Sequence, residues 1–221
     1  VDGDGYNPSY ISLRNNYSDM SQRCSNLKDL VWLTVGHEYF HAVQLEYLKL
    51  TIEPYFKEFT SMWFENIFVP TCYDYLDWIS SLFNDPEKSF ENYSDGYELS
   101  LYGHYLSTVI DTKGNEDQLK STIMREVWEK YEEAYYNSEE RRIFEALELV
   151  LLDDEYNTSF PETWVDFMSR NMFCGEYDDM NNDIYYHISQ SLIEPPLVEY
   201  ESIASNTTIE VGTFIKNDRV S

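Results

Sequence analysis

The chain has 221 residues, 41 of them acidic and 15 basic, for a formal net charge of -26. Such a surface repels phosphate backbones, which excludes nucleic acid as a partner. With 43% hydrophobic residues and 20 tyrosines, the composition argues for one globular domain with a sizeable core and against disorder.

No apolar run is long enough to cross a bilayer. The chain opens at Val1 with neither an initiating Met nor a signal-like segment, which reads as a mature form or an excised piece. Asp2-Gly3-Asp4-Gly5 reads as a turn, because the further ligands of a calcium loop do not follow it. Ser9 to Leu13 alternates as a short strand. Asn26, with Asp29 three residues on, is a cap for a helix over 27–49, and Leu27, Leu30, Val31, Thr34, Val35, Ala42, Leu45 and Leu48 give it helical spacing. Pro54 opens a second helix over 54–68, which Pro70 ends. Further helices are predicted over 72–83, 97–111, 116–136, 139–152 and 161–172, the last capped by Ser159 with Pro161 in its first turn. Gly175 to Asp183 is an acidic loop. After Pro195-Pro196 come β-type residues, Thr207 to Val211 and Thr213 to Ile215. The sequence therefore predicts a mostly helical α+β domain over 1–196 and a C-terminal β segment over 197–221, as an edge strand or the start of a further domain.

Cys24, Cys72 and Cys174 fit no zinc-knuckle spacing. They leave open one disulfide with a free thiol, or three buried thiols. Asn16, Asn92, Asn157 and Asn206 each begin an N-x-[ST] triplet, a pattern of exported proteins that also arises by chance in a chain rich in Asn and Ser.

The chemistry lies in His37-Glu38-Tyr39-Phe40-His41. This is H-E-x-x-H within a helical run, so both imidazoles share one face and reach one metal ion, with Glu38 beside them as a base for water. Only four histidines occur in the chain, and two are here. A polar trio on a helix with apolar flanks needs partners. A catalytic zinc needs a third protein ligand. A histidine six residues after His41 is ruled out, since that position holds Tyr47, and Gln44 stands where that arrangement has glycine. The alternative is a glutamate on the next helix: Glu53, Glu58 or Glu65. Glu53 precedes Pro54 and comes early. Glu58 and Glu65 are seven apart and share a face, which a turn near 50–54 would fold back onto the histidines.

Glu58-Phe59-Thr60-Ser61-Met62-Trp63-Phe64-Glu65 resembles the E-G-x-A-x-W-x-E segment of gluzincin metallopeptidases, with Phe59 for the usual Gly and Ser61 for Ala. The resemblance extends to a group of secreted bacterial and archaeal metalloproteases. It runs through Pro8-Ser-Tyr-Ile11, Lys28-Asp-Leu-Val31, His37 to Gln44, Trp63-Phe-Glu65, Val69-Pro70, Tyr73 to Leu76, Phe83 to Pro86, Tyr102 to Leu106 and Phe167 to Gly175, most of residues 8–196. It implies a zincin-like fold with a short N-terminal edge strand, Glu58 as the third zinc ligand with Glu65 as the second choice, and Glu38 as general base. It also implies an oxyanion donor from a later helix, where Tyr97, Tyr102 and His104 lie; Tyr102 is preferred, with His104 beside it. A peptide or protein substrate would pair with the strand Tyr10 to Leu13. The expected activity is that of a secreted zinc endopeptidase. The alternatives are an inactive binding module on the same fold and a zinc aminopeptidase, with Glu65 as anchor for the substrate amine.

Overall fold

The computed structural model describes residues 10–13, 16–17, 24–47, 53–85, 88–93, 95–111, 121–137, 139, 142–177, 186–187 and 191–193. The first long helix begins where Asn26 caps it. The Asn26 side-chain oxygen accepts from the Asp29 N–H at 3.0 Å, and its amide donates to the Asp29 carboxylate at 3.0 Å. Helix α1 then spans Leu27–Tyr47. Helix α2, Pro54–Phe68, carries proline in its first turn, where an N–H has no helical partner in any case. The two helices pack against each other. The Cys24–Cys72 disulfide ties the approach to α1 to the exit from α2, and Cys174 is free and buried.

The predicted helix over 72–83 is broken. A tight turn, Asp74–Asp77, leads through Trp78 into α3, Ile79–Asn84. The predicted helix over 97–111 is also divided. A tight turn at Tyr97–Leu99 leads into α4, Ser100–Tyr105, and a wider π-type turn follows over Leu106–Ile110. That turn closes with the Asp111 N–H on the Leu106 carbonyl at 2.8 Å, and the Asp111 carboxylate then accepts from the Ile123 N–H at 2.9 Å. It thereby caps α5, Ile123–Tyr136. Helix α6, Ile143–Leu151, starts where the Glu53 carboxylate accepts from the Ile143 N–H at 2.8 Å. Helix α7 spans Phe160–Asn171, and the Ser159 N–H donates to the Glu162 carboxylate at 2.9 Å.

The fold is mostly helical, and no strand occurs among the described residues. Tyr10 to Leu13 carry no regular structure, and Tyr10 is 90% exposed. The edge strand expected there is not found among the described residues. Ser9, residues 112–120 and the whole 197–221 segment lie outside the described residues.

The core is built around α2. Phe56, Phe59 and Trp63 are buried against Leu101, Tyr102 and Tyr105 of α4, Trp128 of α5 and Leu147 of α6. Gly103 explains Phe59. A Cβ at Gly103 would lie 2.9 Å from the Phe59 ring and 2.9 Å from the Trp63 ring. Helix α4 can approach so closely only without a side chain there.

Candidate metal centre

His37 and His41 lie one turn apart on α1, with ring centroids 4.6 Å apart. Helix α2 brings Glu58 to both. Its Oε2 lies 3.1 Å from His37 Nε2 and 3.3 Å from His41 Nε2. One ligand atom from each of the three residues falls within 4.8 Å of the other two. All three side chains are partly buried, and each keeps some contact with solvent.

The other ring nitrogens are held from behind. His37 Nδ1 bonds Glu65 Oε1. His41 Nδ1 lies 2.9 Å from both Gln44 Oε1 and Ser61 Oγ. The amide of Gln44 fixes the tautomer of His41. Its Nε2 donates to the Lys57 carbonyl at 2.8 Å and to Thr60 Oγ1 at 2.9 Å, so its oxygen is left to accept from His41. A proton on Nδ1 leaves the Nε2 lone pair free, directed at Glu58. Neither Gln44 nor Ser61 was anticipated as a site residue. The available signal was a buried-helix glutamine three residues after His41, opposite two small hydroxyl residues on α2.

The titratable groups of the cluster act strongly on one another. Burial works against charge on His37, but its hydrogen bonds to Glu58 and Glu65 outweigh this and raise its pKa to about 10. Burial likewise opposes charge on Glu58, yet His37 and His41 hold its carboxyl below the usual range. Burial pushes Glu65 up to about 8, and it also raises Asp74 alongside. Glu65 Oε2 and Asp74 Oδ1 are both buried and find no donor. One proton between them would satisfy both oxygens. A proton on His37 is one answer to the nearby negative charge; a divalent ion at the Nε2 atoms is another.

The remaining predicted residues separate clearly. Glu38 is exposed, and no described residue bonds it. Glu65 meets His37 at the nitrogen opposite the cluster, and Glu53 caps α6 instead. Tyr102 is fully buried among Phe90, Phe160, Trp164 and Phe167, with its hydroxyl 2.7 Å from Thr163 Oγ1. It points into the core. His104 is also buried, stacked on His187 at 4.3 Å. The tyrosine beside the cluster is Tyr97. Its ring centroid is 6.3 Å from that of His37, and its hydroxyl interacts with Glu58. Burial and the Glu58 charge push that hydroxyl up to about 12, so it remains a donor. Gly96 sets Tyr97 there. Its φ is +74°, and a Cβ would lie 2.0 Å from the Tyr55 carbonyl oxygen.

No protein-family model, curated protein or solved structure matches this chain.

Proposed function

We propose that the chain is a zinc-dependent peptidase, in which the α1–α2 hairpin is the metal-binding half of a zincin-like, gluzincin-type domain. The observation that carries this reading is the convergence of one ligand atom each from His37, His41 and Glu58 within 4.8 Å, with both Nε2 atoms close to Glu58 Oε2. Two imidazoles and a carboxylate, with the imidazoles oriented by hydrogen bonds to Nδ1, are a donor set that fits a catalytic zinc and leaves a position open. Zinc held there would supply a Lewis acid that acidifies water and polarises a carbonyl.

The chain's own residues do the rest. Glu38, exposed beside His37, takes a proton from the attacking water and returns it to the leaving amine. Tyr97 is the donor that this reading uses for the developing oxyanion, in place of the buried Tyr102. Glu65 and Gln44 orient the two imidazoles. Glu65 is committed to His37, which favours an endopeptidase over an aminopeptidase that would need a free acidic anchor. The Cys24–Cys72 disulfide supports a location outside the reducing cytosol.

Metal analysis should return about one zinc per chain. Glu38→Gln should keep that zinc and lower cleavage of an unfolded protein substrate by about 10²–10⁴-fold. A wild-type chain that binds no metal would sink the reading. Full zinc with no cleavage would favour a binding module on the same fold.

A further inference from the structure

The surface beside the metal cluster is aromatic. Tyr97 lies 6.3 Å from His37 between ring centroids, and Trp78 lies 5.2 Å from Tyr97. Tyr97 thus contacts the ring of His37 and the ring of Trp78. Trp78 is 48% exposed, a large apolar area left in water next to a reactive centre. Its backbone is firmly held. The Trp78 N–H donates to the Tyr75 carbonyl at 3.1 Å, and its own carbonyl accepts from Ser81 Oγ at 3.0 Å. An aromatic ring on a fixed backbone loses little freedom when a ligand covers it, which is the character of a binding anchor.

Charge selects what covers it. Asp95, which is exposed and stands apart from the metal ligands, acts electrostatically on Tyr97. The Glu98 carboxylate accepts from Ser81 Oγ at 3.3 Å, one turn beyond Trp78, and Asp77 precedes Trp78 in the chain. An aliphatic side chain would cover the indole and leave this negative potential unanswered. A cationic side chain answers both, through the ring face and the surrounding carboxylates.

We propose that Trp78 and Tyr97 form a subsite for a Lys or Arg side chain of the substrate, close to the bond that is cut. The proposal rests on the peptidase reading and names its substrate class, peptides carrying a basic residue at one position near the cleavage point.

Zinc-loaded Glu38→Gln protein serves as a non-cleaving receptor. Calorimetry on it gives Kd for blocked peptides that differ only in Arg, Leu or Glu at one position, scanned along the peptide. At one position Arg should bind about tenfold tighter than Leu, with Glu weaker still. The margin should shrink as salt rises towards roughly 1 M. In that background Trp78→Ala should abolish the preference, Trp78→Phe should keep most of it, and Trp32→Ala, at an exposed tryptophan elsewhere, should leave it intact. Asp95→Asn, at an exposed position with little bearing on folding, should reduce it about two- to threefold.

Equal affinities, a preference for Leu, or an Arg preference that survives both Trp78→Ala and Asp95→Asn would overturn the subsite. A Trp78-dependent Arg preference in a chain whose wild type cleaves none of these peptides keeps the subsite and removes the peptidase. Wild-type cleavage of all three peptides at one rate does the reverse. Failure of every peptide to bind removes both.

Discussion

The four histidines form two pairs that share little beyond proximity. His37 and His41 meet at 4.6 Å with their rings at 89°; His104 and His187 meet at 4.3 Å with their rings at 20°. In the first pair each Nδ1 is held and both Nε2 atoms converge on Glu58. In the second pair, burial dominates. It lowers His104 well below the usual histidine range and His187 to about 4, while His104 Nε2 finds no partner among the described residues. Two imidazoles in contact do not by themselves make a cation site. What separates the pairs is the carboxylate that α2 brings to one of them, together with the acceptors that fix its tautomers.

Metal content tests this contrast most sharply. His37→Ala, His41→Ala and Glu58→Ala should each take bound zinc from about one equivalent to none, whereas His104→Ala and His187→Ala should leave it unchanged. Zinc lost on Glu65→Ala but retained on Glu58→Ala would exchange the roles given to those two glutamates. A smaller effect tests the acceptors. Gln44→Leu removes the group that fixes His41, and zinc affinity measured against a competing chelator should fall by about 10–100-fold. An unchanged affinity would show that Ser61 alone orients the ring.

A further test concerns pH and belongs to the second pair. The folded pKa of His187, about 4, lies below its unfolded value of 6.5, so the unfolded chain binds more protons between those limits. The corresponding stability is fully present above pH 6.5 and is lost as pH falls towards 4, up to about 3 kcal/mol. Thermal melts across that range should show a shallower acid loss for His187→Gln than for wild type. An identical slope would mean that the buried pair does not contribute to acid sensitivity.

Much of the hairpin was legible in the sequence because its signals are local. Asn26, the apolar spacing and Pro54 marked the starts of both helices. The spacing of four between His37 and His41, and of seven between Glu58 and Glu65, put each pair on one helix face. The rest depended on contacts between distant segments. Three tyrosine or histidine positions between 97 and 104 look alike in sequence; only the left-handed turn at Gly96 sends Tyr97 to the cluster while Tyr102 enters the core. Trp78 sat within an apparently continuous helical pattern, yet the turn before it leaves its ring half in water. Phe59 is accommodated in the core by the close approach of Gly103, which lies 44 residues further along the chain.

The Cys24–Cys72 bond has a topological consequence. His37, Glu38, His41, Glu58 and Glu65 all lie between the two cysteines, so oxidation encloses them in one covalent ring. A single nick in the backbone between α1 and α2 would open that ring without dividing the molecule. The severed chain would run as one species on a gel until a thiol reductant parted the fragment bearing His37 and His41 from the one bearing Glu58.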